Sequence, residues 1–337
     1  MKILISASNM VHINNFHRPY INSFKEKGNE VYILSKGEGA DYNISFKKSV
    51  LSLKNLFLVP KIRKILKKEK FDVVYLHTTL SAFFVRLAMK GLKNRPYVIN
   101  TVHGYLFSKD TSKSKRSIYL FCEKILKKQT DDIVTMNSED YEIATKNKLC
   151  LNKVYACNGM GVNFPRLPEI EKIRKDKTRL IFVGEISKRK NQQFLVKALE
   201  KLPDYTLTLV GDGKERKSIG KLAKKLNVLD RLTITGFTKN VYEHLLNSDI
   251  YVCASQIEGL PFNIMEAMHA GLPIVASDIK GHKDLLPNEC LYKLNDEASF
   301  INAVSNAREI NFNLEKYKLE NVLDENIKIY TAFINSR

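Results

Sequence analysis

Two glutamates with seven residues between them, Glu258 and Glu266, lie in a segment that follows an apolar run at 250–254. Pro261 suits the first position of a helix over 261–270, so Glu258 precedes that helix and Glu266 lies on its second turn. Backbone N–H groups at the helix start favour an anion, whereas two carboxylates favour hydroxyl groups. The pattern predicts a ligand that carries both an anionic group and hydroxyl groups. The alternative is a capped helix with two surface glutamates. The residues expected to supply N–H groups are Gly259, Leu260, Pro261, Phe262 and Asn263.

Histidines in the first half of the chain are further candidates. His103 follows an apolar strand and precedes Gly104, so it is expected at the carboxyl end of that strand. His12, Asn15 and His17 lie in the first strand-to-helix connection, which has no glycine-rich loop. A contact with substrate and a purely structural role, such as capping by His17, both remain open.

Several motifs are absent from the sequence. There is no Gly-x-Gly-x-x-Gly, no Gly-Lys-Ser/Thr and no Asp-x-Asp, which disfavours dinucleotide dehydrogenases, phosphate-loop NTPases and metal-dependent transferases. The five cysteines show no Cys-x-x-Cys and no metal-binding spacing with histidine. We therefore expect no metal and no cofactor, and free thiols in a reducing compartment.

Short apolar runs alternate with longer amphipathic stretches, a pattern typical of parallel sheets covered by helices on both faces. In the first half, strands are predicted at 3–7, 31–35, 72–77, 97–102, 132–136 and 153–156. Helices are predicted at 16–27, 53–68, 80–90, 115–128 and 139–146.

The pattern stops at 163–168, where two prolines and the charged run 169–177 predict a linker, and then resumes. Strands are predicted at 178–183, 205–210, 232–235, 250–254, 273–277 and 290–294, and helices at 192–201, 214–226, 241–246, 261–270 and 297–309. We predict an α/β protein with two tandem Rossmann-like, doubly wound domains, 1–165 and 166–320, that face a cleft. A C-terminal helix within 321–337 is expected to cross back to the first domain.

The segment that holds Glu258 and Glu266 resembles a known family. Its pattern E-G-L-P-x-x-x-x-E-A is similar to the paired-glutamate motif of retaining nucleotide-sugar glycosyltransferases of family 4, which have the GT-B fold. Other segments resemble the family in the same order: Phe182–Asn191, Val210–Gly213, Gly236-Phe237 and Ser248-Asp249. Three segments of the first half resemble members that build capsular polysaccharide or exopolysaccharide: Asn15–Tyr20, Thr101–Tyr105 and Asn137–Tyr141.

The resemblance implies roles for single residues. Glu266 would bind the ribose hydroxyls of the donor, Glu258 a hydroxyl of the donor sugar, and Lys190 the departing diphosphate. His103 would orient the donor sugar, and Gly236 and Phe237 would lie near the base. Gly184 and the residues 259–263 would complete the nucleotide-sugar site. Glu185 stands where many members carry arginine, so the second phosphate cation is Arg189 or Lys188, or is missing.

The resemblance also implies a reaction. It is the retaining, metal-independent transfer of a hexosyl or N-acetylhexosaminyl group from a UDP-sugar to a saccharide acceptor on a polyprenyl diphosphate, in bacterial surface polysaccharide synthesis. His12, Asn15 and His17 are the acceptor-side candidates. A UDP-sugar 2-epimerase of the same fold is one alternative. A basic nucleic-acid-binding protein is another, but the basic patches lack clearly interleaved aromatic residues, so we expect no nucleic acid partner.

The net charge of +19 is unevenly distributed along the chain. Residues 1–165 hold 28 basic and 13 acidic side chains, whereas residues 166–337 hold 27 and 23. The basic, amphipathic run Lys47–Lys70 and the basic segment Lys109–Arg116 suit an anionic membrane surface. A helix with a lysine-rich outer face is the alternative. Because neither a signal peptide nor a membrane span is evident, we expect a cytoplasmic protein bound peripherally to the inner face of the membrane.

Overall fold

The computed structural model describes residues 1–47, 52–168 and 176–336, and the chain divides into two compact units. The first unit comprises Met1–Gly161 and Lys316–Arg337, and the second comprises Val162–Glu315. The first boundary therefore lies four residues before the expected one, and the C-terminal segment of the first unit begins at 316 instead of 321. Residues 169–175 of the predicted linker and residues 48–51 of the basic run lie outside the described residues.

The described part of the first unit contains a seven-stranded parallel sheet in the order β3-β2-β1-β4-β5-β6-β7. The strands are β1 (Lys2–Ser6), β2 (Glu30–Ser35), β3 (Tyr42–Asn43), β4 (Val73–His77), β5 (Tyr97–Val102), β6 (Asp132–Thr135) and β7 (Val154–Ala156). The helices are α1 (Met10–Phe16), α2 (Arg18–Glu26), α3 (Leu53–Leu56), α4 (Leu58–Glu69), α5 (Thr79–Met89), α6 (Lys113–Lys124) and α7 (Ser138–Lys146). The central strand β4 is buried along its whole length, which explains its nearly continuous apolar sequence.

The second unit repeats this architecture. Its described part contains a six-stranded parallel sheet in the order β10-β9-β8-β11-β12-β13. The strands are β8 (Thr178–Val183), β9 (Tyr205–Val210), β10 (Leu232–Gly236), β11 (Ile250–Cys253), β12 (Ile274–Ser277) and β13 (Leu291–Tyr292). The helices are α8 (Gln192–Glu200), α9 (Arg216–Lys225), α10 (Val241–Leu246), α11 (Phe262–His269), α12 (His282–Leu285) and α13 (Glu297–Ser305). The prediction of two doubly wound parallel sheets is confirmed.

The last helix, α14 (Leu319–Thr331), packs on the first unit through buried polar groups as well as apolar ones. The Tyr330 carbonyl accepts a hydrogen bond from the Tyr75 hydroxyl at 2.9 Å, and the Tyr330 hydroxyl lies 3.0 Å from the Thr101 hydroxyl. Asn326 donates to the Tyr20 hydroxyl at 2.9 Å. Since buried polar groups need partners, these bonds select one position of α14 on the sheet. A 3-10 turn, Ala332–Ser336, follows.

The helix α1 differs from the prediction, in which the first helix spans 16–27 and a connection precedes it. Asn9 starts this helix, and its side chain accepts a hydrogen bond from the His12 backbone N–H at 2.9 Å. Met10 and Ile13, three residues apart, turn toward the core. Asparagine is a strong helix-capping residue, and this signal was missed. His12 and Asn15 therefore lie on a helix. None of the helices in the described residues combines the length and the apolar composition needed to cross a bilayer.

Candidate functional site

The strand order of the second unit reverses between β8 and β11, the point where doubly wound sheets bind ligands. The loop 184–191 follows β8, and the loop 254–261 follows β11. The two loops are joined by a hydrogen bond of 2.9 Å from the Gln256 N–H to the Arg189 carbonyl. The topology therefore brings the predicted residues Lys190, Arg189 and Glu258 together.

Glu258 is the centre of this group and is almost fully buried. Lys190 Nζ lies 2.6 Å from Glu258 Oε1, and Arg189 Nη1 lies 2.9 Å from Glu258 Oε2. Burial alone would raise the pKa of Glu258, but the two cations outweigh it and lower this pKa to about 2. The carboxylate is thus ionised at neutral pH, with two cations that could also face a phosphate.

Glu266 lies on α11 in a different environment. Burial raises its pKa to about 7, and no group in the described part of the chain donates a hydrogen bond to its carboxylate. Its charge also raises the pKa of Tyr242, although burial is the larger cause. A buried carboxylate to which none of the described residues donates suits a ligand hydroxyl.

The start of α11 differs in detail from the prediction. Pro261 is the capping residue, the helix begins at Phe262, and proline has no N–H to offer an anion. The Asn263 side chain donates to the Val183 carbonyl and to the Tyr251 hydroxyl, both at 2.7 Å. Asn263 therefore positions α11 against β8 and β11. Leu260 is buried in the core.

Two glycines allow the loops at the ends of the strands to approach closely. A Cβ atom on Gly211 would lie 2.1 Å from the Gly184 carbonyl oxygen. A Cβ atom on Gly281 would lie 2.5 Å from the Gly259 carbonyl oxygen, directly after Glu258. Both glycines also have positive φ angles, 143° and 79°. Gly211 thus lets its loop pack against the end of β8, and Gly281 lets its loop pack against the backbone of Glu258 and Gly259.

The remaining donor-side residues lie at the rim of this sheet edge. Gly236 ends β10 with a φ of 81°, and the Phe237 ring that follows is 81% exposed. An exposed aromatic ring can stack on a nucleobase. Glu185 and Lys188 are also exposed, whereas Arg189 contacts Glu258.

A buried pair next to Glu258 was not predicted. His282 Nε2 lies 3.7 Å from Cys253 Sγ, and His282 Nδ1 lies 2.7 Å from the Ser277 carbonyl. Burial lowers the pKa of His282, but Cys253 and Glu258 outweigh burial and raise it. The available signal was a histidine in the connection that follows β12, because the carboxyl ends of parallel strands share one edge.

The four histidines of the first unit lie together where its strand order reverses, between β1 and β4. His77 Nδ1 lies 3.1 Å from His103 Nε2, and the His17 and His77 rings are 3.8 Å apart. The His12 ring is 4.7 Å from that of His103. We call His12, His17, His77 and His103 the histidine cluster. His77 was not predicted as a site residue. The signal was available, because His77 is the last residue of β4 and His103 directly follows β5.

Burial keeps the cluster neutral. It lowers the pKa of His12 to about 4 and that of each other ring well below its usual value. His17 occupies the capping position of α2, but its side chain makes no capping hydrogen bond. Asn15 is exposed on α1 and is not part of the cluster. Two of the three acceptor-side candidates are therefore brought together with His103.

Comparison with known proteins decides the family. Residues 163–328 match the family described as "Glycosyl transferases group 1", and residues 2–137 match the family described as "Glycosyl transferase 4-like". The chain belongs to the group 1 glycosyl transferases. This glycosyltransferase is 29% identical over 324 residues to the "Putative glycosyltransferase EpsD" of Bacillus subtilis, covering 89% of the chain and 85% of the relative.

A second relative and a solved structure extend this likeness. The glycosyltransferase is 30% identical over 282 residues to an Escherichia coli "UDP-Gal:alpha-D-GlcNAc-diphosphoundecaprenol alpha-1,3-galactosyltransferase", covering 78% of the chain and 71% of the relative. Anabaena HepE, solved in complex with UDP and glucose, matches with a TM-score of 0.73 at 16% identity, over 98% of this chain and 100% of HepE. This likeness confirms the GT-B fold.

Proposed function

We propose that this glycosyltransferase transfers a hexosyl or N-acetylhexosaminyl group from a UDP-sugar to a saccharide acceptor on a polyprenyl diphosphate, with retention of configuration, in bacterial surface polysaccharide synthesis. The observation that carries the proposal is the buried Glu258–Lys190 pair at the strand reversal of the second unit, with Glu266 on the helix that follows. HepE binds UDP and glucose, and the name of the E. coli relative gives a UDP-sugar donor and a lipid diphosphate acceptor.

The donor nucleotide is assigned to three residues of the second unit. Glu266 accepts hydrogen bonds from the ribose hydroxyls, which supply the donors that its carboxylate lacks in the described part of the protein. Phe237, exposed after β10, stacks on the base. Arg189, not Lys188, is the second phosphate cation, since Arg189 shares the carboxylate of Glu258 with Lys190.

In the transfer step the bond between the anomeric carbon and the β-phosphate oxygen breaks, and a bond from that carbon to the acceptor oxygen forms on the same face. The acceptor proton passes to the departing phosphate, and UDP leaves. Lys190 stabilises the charge that develops on that phosphate. Glu258, which Lys190 holds ionised in the free protein, accepts a hydroxyl of the donor sugar. Neither a divalent cation at the diphosphate nor a cofactor is required.

The first unit is assigned to the acceptor and to the membrane. Lys61, Lys64, Lys67 and Lys68 are exposed along α4, and the neighbouring Phe57 is 82% exposed. Leu58 packs on the core, whereas Leu53 and Leu56 are exposed. Lysines beside exposed apolar side chains fit an anionic bilayer surface.

A second exposed apolar stripe lies along α6 and supports the same assignment. Ile118 and Phe121 on α6, and Ile125 directly after it, are exposed at helical spacing. Lys113 and Lys124 are exposed on the same helix. The basic segment Lys109–Arg116 thus ends in a helix with an exposed apolar stripe, and this helix begins two residues before the predicted position 115.

Thermal unfolding with a panel of nucleotides and nucleotide sugars tests donor binding, because a ligand of the folded state raises the melting temperature. We expect UDP and one or a few UDP-sugars to stabilise the protein. Glu266→Ala should abolish that stabilisation, whereas Glu243→Ala, an exposed glutamate on α10, should retain it. Stabilisation by RNA and not by UDP would favour the nucleic-acid-binding alternative.

Product analysis tests the reaction itself. With the selected UDP-sugar, we expect UDP release to depend on an added polyprenyl-diphosphate saccharide, and the new linkage to keep the anomeric configuration of the donor. Release of UDP together with a free epimerised sugar, in the absence of acceptor, would favour the 2-epimerase instead. An inverted product would contradict the retaining assignment.

A further inference from the structure

The histidine cluster is the one concentration of metal-binding side chains found in the described residues. His12, His17 and His103 each offer a ring nitrogen, and these three atoms all lie within 4.8 Å of one another. The residues come from α1, from the junction of α1 with α2, and from the end of β5. Neutral imidazole nitrogens are ligands that zinc and other first-row transition metals prefer.

Two ring nitrogens of the histidine cluster are buried and unpaired among the described residues. The Nε2 atoms of His12 and His17 are both buried, and neither has a hydrogen-bond partner among the described residues. His17 is only 1% exposed. A buried polar atom without a partner destabilises the fold, so a ligand that pairs with both atoms would be favoured.

We propose that His12, His17 and His103 bind a transition-metal ion, with zinc as the preferred metal, and that a fourth position stays open for water or an anionic oxygen. The distances fit this site after a small closure. With Zn–N bonds of about 2.0–2.1 Å, tetrahedral ligand atoms lie roughly 3.4 Å apart, so the rings must approach by about 1 Å or less each.

His77 acts as a positioning residue for this site. Its Nδ1 lies 3.1 Å from His103 Nε2, so a proton held on His103 Nε2 leaves His103 Nδ1 with the lone pair for the metal. Metal-binding histidines commonly use their second nitrogen in this way. The Ser8 and Thr78 hydroxyls, 2.6 Å apart, join the segment before α1, the helix that carries His12, to the residue that directly follows His77 at the end of β4.

This inference departs from the sequence-based expectation that the chain holds no metal. That expectation rested on the absence of cysteine and Asp-x-Asp motifs. It overlooked ligands contributed singly by segments distant in sequence, at positions 12, 17 and 103. The site also lies in the first unit, whereas Lys190 and Glu258 belong to the second. Failure of the zinc test would therefore leave donor binding by the second unit untouched.

The test is calorimetric titration of metal-free full-length protein with zinc chloride, together with thermal unfolding. We expect one equivalent of zinc to bind and to raise the melting temperature. His12→Gln, His17→Gln and His103→Gln should each weaken zinc binding at least tenfold, and His77→Gln roughly 10–100-fold. His244→Gln, a half-buried histidine on α10, is the matched control and should bind zinc as the wild type does. Far-UV circular dichroism and cooperative thermal unfolding in the absence of zinc report whether the first unit of each variant is folded.

Cobalt substitution gives a readout that does not depend on the variants. Bound Co²⁺ should show the visible absorption of a tetrahedral nitrogen and oxygen site, without thiolate charge-transfer bands. Thiolate bands would assign the metal to the free cysteines and overturn the proposal. The proposal would also be overturned if zinc did not raise the melting temperature of the wild type. It would likewise be overturned if every histidine variant of the cluster kept the zinc affinity of the wild type.

Discussion

Glu266 and Glu258 show how one residue type acquires two chemical states in one site. Burial raises the pKa of Glu266 to about 7, whereas the pKa of Glu258 falls to about 2 because Lys190 and Arg189 outweigh burial. At neutral pH Glu258 is fully ionised and Glu266 is close to its midpoint. Ligand hydroxyls that donate to Glu266 would favour its ionised form, so donor binding should release a proton.

This linkage predicts the pH dependence of UDP affinity. The wild type should bind UDP more tightly at pH 8 than at pH 6, by up to about tenfold per pH unit below the pKa of Glu266. Glu266→Gln should bind UDP more weakly by roughly 1.5–3 kcal/mol for each charge-assisted bond lost. It should also lose this part of the pH dependence, leaving only that of the UDP phosphate. Calorimetry across this pH range measures both effects, and equal slopes in the two proteins would contradict the assignment.

The same pKa predicts a stability effect without ligand. A carboxyl group with a raised pKa in the folded state stabilises the protein at low pH, and this stabilisation is lost as the pH rises from about 4.5 toward 7 and above. The free energy of unfolding of Glu266→Gln should therefore fall less over this interval than that of the wild type. Urea unfolding at pH 5 and pH 8 measures the difference, and parallel declines would place the raised pKa elsewhere.

Lys190 is expected to act mainly on turnover. Lys190→Ala should lower kcat on the order of 10²-fold or more, because the charge on the departing phosphate develops in the transition state. The variant also leaves Glu258 buried with Arg189 alone, which should cost about 3–5 kcal/mol of stability, so kinetics are measured well below its melting temperature. Lys197→Ala, an exposed lysine on α8, is the control. A rise in KM with unchanged kcat would mean that Lys190 binds only the ground state.

Single elements depend on a few buried polar bonds. In α14, Asn326 donates to the Tyr20 hydroxyl and to the Gly159 carbonyl at 2.8 Å, and both of these acceptors lie in the first unit. Asn326→Leu should destabilise that unit by about 1–3 kcal/mol, since it leaves the buried Gly159 carbonyl without this donor. Lys328→Ala, exposed on the same helix, should change the free energy of unfolding by less than about 0.5 kcal/mol. Urea denaturation measures the free energy of unfolding of both variants. Equal values for Asn326→Leu and Lys328→Ala would show that Asn326 does not anchor α14.

At the scale of the whole molecule, the excess positive charge of residues 1–165 predicts binding to anionic vesicles. Each lysine near such a surface contributes about 1 kcal/mol, and salt should weaken the attraction. Changing Lys61, Lys64, Lys67 and Lys68 together to Glu should abolish co-sedimentation with anionic vesicles. It should leave UDP affinity, assigned to the second unit, nearly unchanged.

A charge reversal of the same size in the second unit tests whether vesicle binding depends on where the lysines lie or only on the net charge. Lys217, Lys221, Lys224 and Lys225 are exposed on α9, and changing them to Glu alters the net charge by the same amount. Vesicle binding should survive this change. Equal pelleting with neutral and anionic vesicles, or equal loss in both quadruple variants, would mean that the charge of the first unit serves no membrane contact.

The sequence by itself determined the class of fold and the family. Strands and helices follow from apolar periodicity, which is local, so β8 and β9 were predicted at their observed bounds. The motif around Glu258 and Glu266 likewise lies within one short segment. The short strand β3 and the helix α12 of four residues were missed, because so few residues carry too weak a periodic signal.

Only the tertiary structure decided how separate segments act on one another. It paired Glu258 with Lys190, it left Glu266 without a donor in the described residues, and it added His77 to His103. These outcomes depend on which strands are neighbours and on how much water each side chain loses. Both are properties of residues that are distant in sequence, and burial and charge pairing shift a pKa only once those residues have met.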